Sequence, residues 1–504
     1  MQPPMTRSAM LALVRAQTSP WDILVIGGGA TGMGIALDAS ARGYSVLLLE
    51  RGDFGQGTSS RSTKLIHGGV RYLEQGNIPL VVEALKERGL LSRNAPGFVR
   101  NLAFVVPSYE WWEAPFYGAG LKLYELLAGR YGFGAPRILS REETLARLPN
   151  IRTDGLRGGV VYFDGQFDDC RLLLALAATA AGHGAALLNY APVVALLKDA
   201  RKRIAGVRWR DAETGEEFET RAKAVINAAG PFSDEVRRMA DPLAAPLLSL
   251  SQGIHLVFDA SFLAADSAIM VPHTADGRVM FAIPWLGHTL VGTTDTPVAA
   301  PVAEPAAQER EIEFILHTAS LYLAKAPSRA DALSVFAGLR PLVAAGAPRD
   351  TASLARSHMV RAEETGLLTV CGGKWTTYRR MAEDAVGRAA ALAALPKRPC
   401  VTRNLPVVRA GPRPVPAGEG NTPLDPALPY TAQDIASAAR QEMARTVEDA
   451  LARRTRALFL NARAALRMAP RAAELMAGEL GRDSQWAAEQ VASFQETAKH
   501  YLPG

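Results

Sequence analysis

DILVIGGGATGMGIALDASARGYSVLLLE, residues 22–50, is the stretch that decides the fold. An apolar run meets three glycines, a helix-compatible stretch follows, and a second apolar run ends on Glu50. Gly27, Gly29 and Gly32 have the G-x-G-x-x-G spacing directly after a strand, and Glu50 lies where a ribose-binding carboxylate belongs, roughly twenty residues on, with Arg51 beside it. The glycines have separate reasons: a tight turn, a close backbone approach to a pyrophosphate, and close packing of helix on strand. The first helical turn, with Ala30 and Thr31, offers unpaired N–H groups to that pyrophosphate. The stretch reads as a β-α-β unit opening a dinucleotide site.

Two distant segments repeat the strand-glycine-helix pattern. AKAVINAAGPFSDEV (222–236) runs an apolar strand into Ala229 and Gly230, and LLTVCGGKWTTYRRMAEDA (367–385) runs one into Gly372, Gly373 and Lys374. Small residues there let backbone approach a ligand. Three such junctions suit a long, folded-over FAD better than NAD. No second G-x-G-x-x-G follows an apolar strand, so a separate NAD(P)H domain is not expected.

Composition sets the outer bounds. A chain of 504 residues exceeds one core and implies two or three domains; 48% apolar and 21% charged residues are ordinary for a globular protein. The net charge of +6 is compatible with simple solubility, with a phosphorylated substrate and with an anionic membrane surface; there is no basic stripe for nucleic acid. Cys170, Cys371 and Cys400 have neither C-x-x-C nor metal-ligand spacing, so no metal is expected and a reducing compartment is favoured. No apolar stretch is long enough to span a bilayer. WWEAPFYGAGLKLYELLAGRYGF (111–133) mixes exposed-type aromatics with Lys122 and Arg130, the composition of a helix lying on a membrane, although a helix packed on its own domain reads similarly.

The expected organisation is an extension at 1–19, a discontinuous cofactor domain at 20–90, 155–240 and 335–395, and a substrate domain at 91–154 and 241–334. The alternating strands of 249–297 read as an antiparallel sheet. A Pro- and Gly-rich linker covers 396–429 and a helical domain 430–504, opened by a capping box at Thr431 and Asp434 and continued by helices at 446–462, 464–478 and 484–501.

The segments GTSSRSTKLIHGGVRYLE (57–74), FAIPWLGHTLVGTTDTP (281–297), FAGLRPLV (336–343) and CGGKWTTYRRMAEDA (371–385) carry a family resemblance. Together they resemble FAD-dependent glycerol-3-phosphate dehydrogenase, the aerobic respiratory enzyme, from about residue 20 to the C-terminus. The resemblance implies an α/β (α+β overall) architecture: a D-amino-acid-oxidase-like, Rossmann-type FAD domain, an antiparallel-sheet substrate domain and a C-terminal helical domain. It implies oxidation of sn-glycerol 3-phosphate to dihydroxyacetone phosphate, non-covalent FAD, electrons passed to membrane quinone, and a cytoplasmic enzyme held peripherally on the inner face of the cytoplasmic membrane. A homodimer stays open. Rival readings are a glycerol-3-phosphate oxidase using oxygen, an amine-oxidising flavoenzyme of the sarcosine-oxidase kind, and a flavin-binding protein without turnover.

The chemistry needs a dianion clamp, a proton acceptor and a polarised ring. Arg71 and Arg340 sit in apolar, glycine-punctuated segments, unlike solvated surface charges, and the arginine fork matches phosphate oxygens. By resemblance both line the active site, with Tyr72. His255, within the strand SQGIHLVF, titrates ordinarily near neutrality, and the resemblance places it at the substrate as the first candidate base. Lys374 stands at a helix start, where a cation is disfavoured, which points to charge stabilisation on substrate or cofactor. The polar run Thr58, Ser59, Ser60, Ser62, Lys64, His67 and Gly68 suits the flavin's phosphates and ring edges, as do Ala229, Gly230, Gly373 and Thr376. His67 is not expected to attach the flavin covalently.

Overall fold

The computed structural model describes residues 5–74, 76–272, 274, 277–343, 358–408 and 422–504. One sheet has the strand order His358–Ala362, Leu368–Gly372, Glu217–Asn227, Trp21–Ile26, Val46–Leu49, Ala186–Leu188, with the hairpin Val193–Lys198 and Ile204–Arg210 attached to the third of these. The central pairings are parallel, with Ile26 opposite Asn227 and Asn227 opposite Thr369. All three strand-glycine junctions therefore end at one edge of one sheet. The strands are continuous apolar runs because helices such as Ala30–Ala41, Asp169–Gly182 and Tyr378–Leu392 leave them almost no exposure to water.

The second sheet is largely antiparallel. Its longest ladder joins Leu248–Asp259 to Ala332–Val343, pairing Ser251 with Arg340, Gly253 with Gly338 and His255 with Phe336. Domain segments 155–240 and 335–395 do not each stay with one sheet. Strands Gly158–Phe167 and Ala332–Val343 pair in the second sheet, and so does Leu65–Ile66. Each of these strands pairs only within the second sheet, which a boundary drawn at motif positions does not register.

The extension forms the helix Arg7–Ala16, pinned by a buried Arg7–Asp211 pair at 2.8 Å. Of the expected linker, residues 409–421 lie outside the described residues; Val407 N donates to Asn94 O and Val408 N to Thr179 Oγ1. The capping box at Thr431 and Asp434 opens the helix Ala432–Gln441. A continuous helix at 446–462 does not form. A π-helical turn, Asp449–Arg454, and a short helix, Ala457–Leu460, are separated at Arg456, whose φ of +73° lies in the left-handed region. Among the described residues no helix is long and apolar enough to cross a membrane.

Candidate active site

The glycine turn is a cradle that a side chain would fill. Gly27 has φ +112°, and a Cβ there would sit 2.8 Å from the Ala228 carbonyl carbon; one at Gly32 would overlap the Gly27 carbonyl oxygen. Gly29 and Gly230 differ: a Cβ at Gly29 would meet Ser59 Oγ at 3.1 Å, and one at Gly230 would meet nothing within 4 Å. Backbone at Gly230 faces open space, which fits a ligand lying across the strand ends. The first turn, Ala30 and Thr31, borders it, with Ala30 N donating to Ser59 Oγ at 2.9 Å. Glu50 accepts from Gly28 N at 2.6 Å and Gly52 N at 2.9 Å, and burial pushes its carboxyl above the usual range against those bonds. Arg51 lies over the Phe232 ring at 3.6 Å, beside Ala229 and Gly230. The donors, small residues and carboxylate match an FAD adenosine diphosphate.

Between the sheets lies a cavity of about 620 Å³. It is lined by Thr58, Ser62, His67, Tyr72, His255, Arg340, Lys374 and Thr376, so residues from four distant segments meet in one place. Thr58 donates to Leu339 O at 2.6 Å, Trp375 Nε1 donates to Ser59 O at 2.9 Å, and His67 N donates to Thr376 Oγ1 at 3.2 Å. These bonds lock the polar loop against the third glycine junction, Gly373. Gly68 N donates to the Tyr124 hydroxyl at 2.7 Å. Arg71 sits in the helix Val70–Glu74, and its side chain lies outside the described residues.

Lys64 is not at the open end of this loop. Its ammonium is wholly buried, donating to Ser60 O at 2.6 Å and Asp169 Oδ2 at 2.8 Å, and Ser62 Oγ donates to the same Asp169 oxygen at 2.7 Å. A lone buried cation is costly, so a carboxylate draws it inward and not toward the cavity. Ser60 is buried with it.

Arg340 lies flat across its sheet because Gly253, directly beside it, has no Cβ to overlap the guanidinium. It donates to Thr294 O and Thr293 Oγ1, each at 3.0 Å, with Asp295 at 3.6 Å. Arg278, also lining the cavity, donates to Asp295 O at 2.7 Å and lies 3.3 Å from its carboxylate. Sequence reasoning missed Arg278 and Asp295: the aspartate stands inside the quoted GTTDTP, but nothing local distinguishes this arginine from the others. Lys374 Nζ stands 4.0 Å from the centroid of the Tyr72 ring, a cation over an aromatic face.

His255 is 2% exposed and stacks on Phe336 at 4.9 Å; its Nε2 lies 2.8 Å from Thr63 Oγ1, a hydroxyl of the polar run that the sequence reading had directed to the flavin. A Cβ at Gly292 would collide with the ring, so that glycine makes room for it. Its pKa differs from expectation. Burial, with Lys64 and Arg340 adding repulsion, holds the imidazole well below its ordinary value of 6.5. It is neutral, and able to take a proton, throughout the neutral range. In the unfolded chain it protonates near 6.5, so the unfolded state binds more protons between that value and the lower folded one. Stability conferred by neutral His255 is therefore full above about pH 6.5 and declines as pH falls through this window. Denaturant titrations at pH 7 and pH 5 should show a smaller acid loss in His255→Gln than in the parent; an equal loss would contradict a depressed pKa.

Comparison with known proteins agrees with this geometry. Residues 22–379 match the family model for FAD dependent oxidoreductases, and residues 402–487 match the C-terminal domain of alpha-glycerophosphate oxidase. The mitochondrial glycerol-3-phosphate dehydrogenase of Macaca fascicularis is 40% identical over 99% of this chain and 75% of its own. That of Arabidopsis thaliana is 40% identical over 97% and 87%. The chain belongs to the FAD-dependent glycerol-3-phosphate dehydrogenase family. A solved member of this family, glycerol-3-phosphate dehydrogenase from Bacillus halodurans complexed with FAD, superposes with a TM-score of 0.77 at 27% identity, covering 98% of both chains. Glycine oxidase from Geobacillus kaustophilus, at 20% identity and a TM-score of 0.55, shares the fold alone. The chain is thus an FAD-dependent enzyme.

Proposed function

We propose that this enzyme oxidises sn-glycerol 3-phosphate to dihydroxyacetone phosphate and delivers the electrons to a membrane quinone. The observation that carries the reading is the convergence of Arg340, His255 and Lys374 on one cavity that Trp375 and Thr376, just after the third glycine junction, also line. Bound FAD supplies the hydride acceptor. Gly27, Gly29, Ala30, Thr31, Gly32, Glu50, Arg51, Ala229 and Gly230 would hold its adenosine diphosphate, and Thr58, Ser59, His67, Gly68, Gly373 and Thr376 its other end. Arg340, held in place by Thr293 and Thr294, receives an anionic oxygen of the substrate; Arg71 and Tyr72 complete the clamp, and Lys374 stabilises negative charge. His255 takes the hydroxyl proton at Nε2, the nitrogen it shares with Thr63. Two cationic clamps and a lysine suit a phosphate better than the single carboxylate of an amine oxidase substrate.

Adding sn-glycerol 3-phosphate to the anaerobic holoprotein should bleach the yellow absorption, and quinone should restore it. No bleaching would defeat the substrate assignment. Restoration by oxygen with rapid peroxide release, and not by quinone, would identify an oxidase.

The helix Glu113–Ala128 supports a membrane contact. Its inner face buries Tyr117, Leu121 and Tyr124, while Trp111, Trp112, Phe116 and Leu126 are exposed on the other side, Trp111 by 76%. Phe116, Tyr117, Leu121 and Leu123 also line the cavity, so an apolar route joins this surface to the active site. Changing Trp111, Trp112 and Lys122 together to alanine removes on the order of 3 kcal/mol of interfacial binding, roughly a hundredfold in partition. Sedimentation with anionic vesicles should report that loss, while turnover with a soluble dye stays near the parent value. Undiminished partition would place the anchor elsewhere.

A further inference from the structure

The C-terminal helical domain carries no motif of its own, yet it supplies three buried arginines to the cofactor side of the molecule. Arg456 bridges Asp168, at 2.7 Å, and Asp169; Arg453 and Arg454 both bond Asp53. All three guanidiniums are 2% exposed or less. Asp169 is the carboxylate that accepts from Lys64 and Ser62, directly flanking Thr63, the partner of His255. Asp53 belongs to the loop after Glu50, where Gly55 N donates to Gly28 O at 3.1 Å. A second line of contact runs through aromatic rings: His255 stacks on Phe336, and Phe336 meets Phe459, three residues after Arg456, edge-on at 4.9 Å. Lys64 Nζ lies within 5.1–5.2 Å of Trp285, Phe336 and Phe459, so the two lines converge on one cation.

The break in the expected helix is part of the same arrangement. A continuous helix through 446–462 could not present Arg453, Arg454 and Arg456 both to Asp53 on its loop and to Asp168 and Asp169 at the start of the helix Asp169–Gly182. The left-handed residue at Arg456 turns the chain so that its fork spans two adjacent aspartates, and surrounding contacts over-determine that conformation.

We propose that the C-terminal domain is a positioning element of the active site: Arg456, through Asp169 and Lys64, holds the loop 58–67 in register with His255, and Phe459 backs the Phe336 ring on which the histidine stacks. The proposal rests on the functional reading above for its kinetic arm only. A domain that merely packed on the surface would need neither the buried charge nor the aromatic contact with Phe336.

The test uses the full-length holoprotein and two variants. Arg456→Lys keeps the charge but loses the fork that spans both aspartates; Phe459→Leu removes the ring and leaves every ion pair. Hydrogen exchange by mass spectrometry should show amides in 58–67 exchanging at least about fivefold faster in each, with the helix Ala462–Leu480 unchanged. Turnover per bound flavin, with glycerol 3-phosphate and a soluble dye, should fall by roughly tenfold while KM moves by less than about threefold. Arg467→Ala, which breaks the Arg467–Asp425 pair, exposed on its arginine side, inside the same domain, should leave both readouts at the parent value. Exchange that rises only within 449–462, with parental turnover per flavin, would overturn the proposal. If Arg456→Lys does not fold, Phe459→Leu decides alone. If the parent does not oxidise glycerol 3-phosphate, the substrate assignment fails and the exchange result still judges the positioning role.

Discussion

Arg340→Ala is expected to lower kcat/KM for glycerol 3-phosphate by about 30- to 1000-fold, the equivalent of ~2–4 kcal/mol of transition-state stabilisation. Arg340 is well suited to lose that much. Its guanidinium is pre-oriented by Thr293 and Thr294 and balanced by Asp295, so substrate binding orders little more of it. The carboxylate of Asp295 is nearly buried and lies between Arg340 and Arg278. Removing one arginine leaves the substrate oxygen poorly paired in a cavity that is mostly apolar. Arg340→Lys should recover only part, because one point charge does not reproduce a planar fork. Steady-state kinetics on protein of equal flavin content measures the effect. Parental kcat/KM in the alanine variant would remove Arg340 from the substrate site.

Gly32→Ala should be the most damaging single-methyl change in the chain. The added carbon would overlap the Gly27 carbonyl oxygen, a backbone atom that cannot swing away as a side chain can. The helix Ala30–Ala41 must then move off the strand Trp21–Ile26, at a cost of roughly 3 kcal/mol or more. Its first turn and the glycine cradle move with it, so the recovered protein should hold under about a tenth of the parental flavin, read from its visible absorption after heat release. Gly387→Ala is the matched control. That glycine is helical with nothing within 4 Å of a new Cβ, so the change should be neutral or stabilise by up to about 1 kcal/mol. Full flavin in Gly32→Ala would mean that the helix and the glycine turn are not in the close contact described.

How much of this was legible beforehand follows from the range of each interaction. The cofactor cradle is local: Gly27, Gly29, Gly32 and Glu50 fall within one β-α-β unit, and their spacing alone states the turn, the helix start and the carboxylate. The helix Glu113–Ala128 was legible for the same reason, since its apolar and polar residues fall within one segment. The partners of Arg340 and His255 were not. Thr293, Thr294 and Asp295 reach Arg340 across a sheet from more than forty residues away, and Thr63 reaches His255 across nearly two hundred. Lys64 shows the difference sharply. Its neighbours in sequence are polar and point to a ligand-facing loop, yet Asp169, brought close only by folding, turns its ammonium inward.

By itself, then, the amino-acid sequence determined the dinucleotide cradle, the three strand-glycine-helix junctions, the capping box at Thr431 and the set of cationic and histidine side chains available for chemistry. These depend on backbone sterics and on periodicity within a few turns or strands. Only the tertiary structure decided which sheet the strands Gly158–Phe167 and Ala332–Val343 join, that burial and two nearby cations depress His255, and that a helix expected through 446–462 breaks to deliver arginines to Asp53, Asp168 and Asp169. Those outcomes depend on desolvation and on charge pairing between residues hundreds of positions apart. Neither has a signature in local sequence, because each exists only once the layers have closed.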